Sequence, residues 1–564
     1  MRIFLFFIVS LFLPLFSFCQ HTWLDKNHDN YFMLQRFDIL QGHVSDSLFT
    51  ATPLTEKNVL NFLNAYEEEQ NDNEIELSIK EKQELDKLKK NNTTIANDEE
   101  EVKSEYSLGN FLYSRPNYLI SHQGENYFIG INPIIYYQQT AEFGNLKQNL
   151  FVNTKGAEVR ASIGKKVSFY SRMTDNQERG PSQFQRYITS RGAVPGGVTY
   201  LKPFKKDKPG LAQDYILANG YVDVEAVKNM MNISFGYDRF QNGNGYRSLL
   251  LSDFGSNYLF AKINTRVWKL NYQNLFMELT PQFKKGADAL LPKKYMAQHH
   301  LSFNAAKWLN IGFFETVVFH RKDHFEFQYM NPIIFYRAIE QSLGSPDNAL
   351  LGMDFKINTT RKVQLYGQVM LDEFKFSELK KGGWWANKFA LQGGIKIADP
   401  LGIENMLVQF EGNIIRPFTY SYDDSLAEYS HYNQSLAHPL GANLAEAIFI
   451  VQYKPNTKTY LSLESFYNLQ GRDSSTTGKS FGGNILKSSS LRNSSNNIKL
   501  FNGFKSGIFY ANANLAYEIK PNIFFDLGLL ARSENASIAN NPSDNSIYVY
   551  TGLRLNANRR KYNY

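Results

Sequence analysis

From about Tyr118 to the C-terminus, apolar and polar side chains alternate with a period of two. Between Val363 and Asp372 the odd positions are apolar or Gly and the even ones are mostly polar. Ala511, Ala513, Leu515, Tyr517 and Ile519 share one face against Asn512, Asn514 and Glu518. After Pro521-Asn522, Ile523, Phe525, Leu527, Leu529 and Ala531 stand against Asp526, Gly528 and Arg532. The last run sets Ile547, Val549, Thr551, Leu553 and Leu555 against Tyr548, Tyr550, Gly552 and Arg554. A strand sends successive side chains to opposite faces. Strands of about ten residues with one greasy and one wet face suit a tilted bilayer crossing. The connections alternate as well. Those at 164–166, 455–458 and 519–522 are short, whereas 175–210, 420–443 and 472–502 are long and polar. This asymmetry predicts an outer-membrane barrel with tight periplasmic turns and extended surface loops. Charges such as Glu518, Asp526, Arg532 and Arg554 would then face a hydrated bore, whereas a midplane Arg or Lys on the lipid side costs ~2–4 kcal/mol. Closure also pairs every backbone group, as lipid requires. About 25 residues per strand and loop leave room for about 16 to 20 strands. A soluble sandwich or propeller is the competing fold, and the aliphatic outer faces argue against it.

Residues 20–107 follow a different rhythm. Thr52 and Pro53 predict the cap and first turn of a helix, on which Val59, Phe62, Leu63 and Tyr66 share a face. A second, charged helix is predicted over 79–90. The acidic runs 67–69 and 98–101 read as solvated faces and linkers. This region is expected to form a small helical, acidic appendage on the periplasmic side. Ahead of it, 1–19 read as a secretory signal peptide: Arg2, an apolar run from Ile3 to Phe16, then Ser17-Phe18-Cys19 as a cleavage site. Lipid attachment at Cys19 is the alternative. Cleavage after Cys19 removes the only cysteine, which excludes disulfides and thiolate metal sites from the mature chain. No later run of 18 apolar residues exists to form a spanning helix.

Composition narrows the class further. The chain has 564 residues, of which 15% are aromatic and only 20% charged, the latter below the ~25% of soluble domains. A mean hydropathy of −0.40 excludes a helical membrane protein. The net charge of +7 is small for this length and does not call for nucleic acid.

The motifs that could carry chemistry are weak. Gly478-Lys479-Ser480-Phe481-Gly482 matches a hydrolase elbow but lies in a polar loop rather than a strand-turn-helix. His320 and His324 would share a strand face, with Arg321 where a zinc protease needs Glu. His299 and His300 point to opposite faces, as do Asp372 and Glu373. No catalytic residue, metal site or cofactor is therefore predicted. Trp384-Trp385 reads as an interfacial aromatic girdle or as a stacking platform for sugar rings.

Several longer stretches resemble a known group. Gly243 to Asp253 is similar to a segment of the Wzi-type capsule assembly proteins of the outer membrane. The stretches 330–337, 343–348, 383–388 and 431–443 resemble the RemB-type gliding motility proteins of Bacteroidetes. The resemblance runs from about 110 to the C-terminus and implies an all-β, transmembrane antiparallel barrel of about 18 strands over 108–564. It further implies a non-enzymatic cell-surface protein that binds or anchors extracellular polysaccharide and serves gliding motility or capsule attachment. The implied partners are outer-membrane lipid, extracellular polysaccharide and the gliding machinery or other surface adhesins. A porin-like passive diffusion channel is the alternative. Within and beside the quoted stretches, Arg247, Asp253, Asn331, Arg337, Trp384, Trp385, Arg416 and His438 are the candidate sugar contacts. Arg and Asn can hydrogen-bond hydroxyls and acidic groups, and Trp can stack on a pyranose.

Overall fold

The computed structural model describes residues 22–564 apart from 49, 93–111, 116, 144–147, 165, 198–200, 204–211, 282–290, 323, 334, 345–346, 380–382, 474–477 and 537–543. The predicted signal peptide, Cys19 and the acidic run 98–101 lie outside the described residues.

The period-two region forms a closed antiparallel barrel of 18 strands. In chain order they are β1 Tyr127–Phe143, β2 Leu150–Ile163, β3 Val167–Arg179, β4 Gln213–Val227, β5 Met231–Asp238, β6 Tyr258–Val267, β7 Leu270–Leu279, β8 Lys294–Ala306 and β9 Leu309–Phe319. They continue as β10 Asn348–Asn358, β11 Val363–Glu373, β12 Lys388–Ala398, β13 Met406–Ile415, β14 Leu444–Asn456, β15 Thr459–Arg472, β16 Phe504–Lys520, β17 Ile523–Ala536 and β18 Asp544–Leu555. Each pairs with the next, and β18 closes on β1 with Ile547 opposite Phe143 and Leu555 opposite Ile135. The predicted faces hold. Leu515, Leu527, Leu529, Ile547 and Leu553 are exposed on the outer wall, whereas Asn514, Asp526, Tyr548 and Arg554 are buried on the inner one. Every connection at one end is short, such as 457–458 and 521–522, while the long ones gather at the other end.

The N-terminal region is helical, with α1 Tyr31–Leu40, α2 Glu56–Asp72 and α3 Ile79–Asn91. The first of these carries no predicted signal. The second begins three residues later than expected. Thr55 is its cap, accepting from the Asn58 N–H at 3.2 Å. Thr52 is unavailable because Ala51 and Thr52 run extended and pair with Asn242 and Gln241 inside the barrel. Ser78 and Glu81 cap α3 reciprocally. The apolar stripe Val59, Phe62, Leu63 and Tyr66 is buried as its spacing predicts. Its cluster includes not only α1 and α3 but Ala398, Leu407, Tyr460 and Phe524 of the barrel. The three helices are thus seated on the short-turn mouth.

Candidate functional site

The bore is filled by three pieces of chain. From the short-turn end, residues 22–30 reach up the inner wall. The Trp23 ring stacks on Tyr221 at 3.7 Å, with the Lys262 ammonium 4.0 Å above it. From the long-loop end, 239–257 folds inward. There Leu249, Leu250 and Leu251 are fully buried in the main core, and the Leu249 N–H donates to Gln368 at 2.7 Å. Gly243 makes this descent possible. Its φ is +96°, and a Cβ there would collide with the Gln368 side chain, so the backbone runs directly against the wall. The third piece is the C-terminal tail, 556–564, which turns back into the bore after β18. Arg559 pairs with Asp29 at 2.6 Å, Arg560 donates to Asn176 at 2.6 Å, and the Tyr562 hydroxyl donates to Glu178 at 2.7 Å.

Charges on the inner wall are accordingly not solvated as the pattern implies; they are paired. Lys356 meets Asp38 of α1 at 3.1 Å, and Lys454 meets Glu84 of α3. Arg160 meets Glu56, Glu518 meets Lys87, and Glu225 meets Lys57 at 2.9 Å. Asp526 holds Arg554, and Arg532 holds Glu534 at 2.6 Å. The physical reason is the filling itself. A charge denied bulk water costs several kcal/mol unless an opposite charge with good geometry replaces the hydration. Asp29 joins three of the parts, bridging Arg554 of β18 and Arg559 of the tail at 2.6 Å each. Burial would raise its carboxyl, but Arg554 and Arg559 outweigh that and hold it well below the ordinary value. A polar cavity of about 450 Å³ remains among these segments, bordered by Trp23, Lys26, Arg172, Arg239 and Arg559.

The eight candidate contacts fall into three separate groups. Arg247 and His438 lie deep in the bore and converge on Glu446, at 3.1 and 2.8 Å. Arg247 also donates to the carbonyl of Asn563 in the tail at 2.7 Å, so both side chains are engaged by the protein itself. Asp253 borders the bore cavity from the infolded loop. Trp384, Trp385 and Arg416 sit together among the long loops. The Arg492 guanidinium lies 4.3 Å over the Trp385 ring, whose edge faces Phe418 at 6.0 Å. Arg416 donates to the Ile498 carbonyl at 3.2 Å, and the Trp385 N–H donates to Ser495 at 3.1 Å. Both tryptophans are half-buried. Asn331 and Arg337 are in neither group; they belong to a connection that lies against the outer wall.

Sequence reasoning missed Glu446, Arg492 and the tail. The tail had a readable signal in Arg559-Arg560-Lys561-Tyr562, a basic and aromatic stretch beyond the last alternating run. Glu446 had none, since one acid on an inner face resembles any other. Among the described residues of 472–502, expected to form an extended surface loop, a hydrogen-bonded turn forms. Asp473 accepts from the Ser480 hydroxyl at 3.1 Å and from the Asn484 N–H at 3.3 Å. The Ser480 oxygen in turn accepts from the Gly482 N–H at 3.0 Å, so the hydrolase-like motif here forms a turn. His320 and His324 lie past the end of β9, not on a strand face.

No protein-family model and no curated protein matches this chain. Among solved structures it is similar to Wzi of Escherichia coli, an outer membrane protein involved in group 1 capsule assembly and a carbohydrate-binding β-barrel. That match has a TM-score of 0.56 and 12% identity over 96% of this chain and 100% of the other. Two Pseudomonas aeruginosa proteins align more loosely over 76% of the chain. OprD has a TM-score of 0.40 and 9% identity over 95% of its own length. OpdK with vanillate has a TM-score of 0.42 and 9% identity over 98% of its length. The fold is therefore that of an outer-membrane β-barrel.

Proposed function

We propose that this protein resides in the outer membrane as a non-enzymatic barrel that binds or anchors extracellular polysaccharide at its long-loop face, serving capsule attachment or gliding motility. The observation that carries the reading is the filled bore. Three chain segments and their ion pairs occupy the volume a diffusion channel needs, which leaves the loop face as the surface for outside partners. On that face Trp384, Trp385, Arg416 and Arg492 form an aromatic and cationic cluster suited to stacking on a pyranose and pairing with an acidic sugar. The likeness to Wzi, a carbohydrate-binding barrel, points the same way. Export by the 1–19 signal and association with gliding machinery or surface adhesins complete the proposal.

Binding of the detergent-purified protein to an array of acidic and neutral glycans tests it. Selective binding that Trp385→Ala weakens supports the reading; no binding to any glycan overturns it. The second reading, a porin-like channel, draws on the 450 Å³ cavity in the bore. A steady open conductance in planar bilayers would establish it.

A further inference from the structure

The connection 320–347 between β9 and β10 belongs by chain order to the long-loop side, yet it lies on the outside of the barrel. Three contacts fix its path. At the top, Arg321 holds Asp347 at 2.8 Å, and the Tyr329 hydroxyl donates to Asp347 at 2.7 Å. At half height, the short helix α4, Tyr336–Ser342, begins with Tyr336 stacked on His299 at 4.0 Å. There the Arg337 N–H donates to Glu315 at 3.1 Å. Lowest, the Pro332 carbonyl accepts from Tyr272, two residues above the β6–β7 turn. The segment descends the outer wall and climbs back.

What it covers explains why it is there. Asn274, His299 and Glu315 stand in one register row of β7, β8 and β9, and the strand alternation aims all three outward. On bare wall they would face hydrocarbon, where burying polar groups without partners is costly. Beneath the segment all three are buried. Phe276, Tyr295, Val317 and Phe319 of the wall pack with Tyr329, Tyr336 and Ile339 of the segment. Its opposite side is apolar, with Phe327 near the top and Ile333 and Phe335 at the low end. Phe327, Ile333 and Phe335 are 76, 85 and 74% exposed, with no covering neighbour among the described residues. Higher up, α4 turns Arg337 and Gln341 outward. The flanking wall positions Leu259, Phe313 and Leu351 are exposed and apolar, so the low tip continues the barrel's lipid-facing belt.

We propose that the described residues of 325–342 form a re-entrant strap whose apolar outer side, Phe327 and Met330 above and Ile333 and Phe335 at the low tip, is seated in the acyl chains of the bilayer. The strap converts a polar stretch of outer wall into an apolar one. It also places Asn331 and Arg337 in the membrane zone, away from the sugar-facing loops.

Single cysteines in a Cys19→Ala background test this in proteoliposomes. A bimane label at Ile333→Cys is compared with Leu351→Cys on the bare wall and Ser494→Cys on the loop face, and Phe335→Cys serves as a second tip site. Doxyl-labelled lipid is expected to quench the tip labels to within about two-fold of position 351, and a membrane-impermeant maleimide to react about ten-fold more slowly there than at 494. Tip cysteines that react as fast as 494 and escape quenching would overturn the proposal.

Discussion

Asp29→Asn removes one charge and almost no volume, which makes it a clean probe of what holds the bore closed. Asp29 lies two residues before α1, at the point where the N-terminal segment, β18 and the C-terminal tail meet. Its carboxylate is 2.6 Å from both Arg554 and Arg559. Deleting one partner of a buried pair costs about 3–5 kcal/mol. Arg554 keeps Asp526 and Arg559 keeps its contact with Asn514, so the lower end, about 3 kcal/mol, applies. If that energy restrains the tail, the population with a released tail rises roughly 10²-fold. Carboxypeptidase reads this directly, because Tyr564 is buried in the native bore and cleavage follows the open population when closing is fast. The variant is expected to lose Tyr564 roughly 10² times faster than wild type, with intact mass as the readout and the exposed Asp46→Asn as control. Equal rates in the variant and wild type would refute the claim that this ion pair locks the tail. The pH sign is also set. Asp29 is held below its ordinary value, so its contribution is complete above about pH 4 and is lost only as pH falls further.

Four other outcomes are expected. Trp385→Ala should weaken glycan binding about ten-fold, a loss of about 1.4 kcal/mol, while leaving heat-modifiable migration on gels unchanged. Wild-type protein should show no steady pore in planar bilayers, because its bore is filled. Gly243→Ala should lower thermal stability by more than 1 kcal/mol, since the new methyl meets Gln368 at a positive φ; unchanged melting would contradict the close approach. His431 accepts from the Thr280 N–H at 3.0 Å and donates to the Asn257 carbonyl at 3.0 Å, which fixes its neutral form, and burial pushes it down to about 3. The unfolded chain therefore takes up a proton below about pH 6.5 that the folded one refuses. Melting temperature should fall between pH 6.5 and 4, and His431→Gln should flatten that slope.

The alternation of residues such as Leu527 and Asp526 was enough to predict the barrel, its inside and outside, and which connections are short. That information is local: one residue's neighbours in sequence state which face it takes, and lipid on one side makes the pattern strict. Two of the N-terminal helices, α2 and α3, were legible for the same reason, down to the buried stripe of α2, whereas α1 was not. The cap was not, because Thr52 is committed to a strand pairing with Gln241, which lies 189 residues away. The destinations of the inner charges were equally hidden. Asp38 and Lys356, or Glu84 and Lys454, are ordinary charges until the chain brings them together, and only then does the loss of water make each require the other. The candidate contacts were chosen by residue type and motif, and three-dimensional placement divided them among bore, loop face and outer wall. An alternating strand states whether a side chain points in or out; what waits for it there is decided by segments that arrive from elsewhere in the chain.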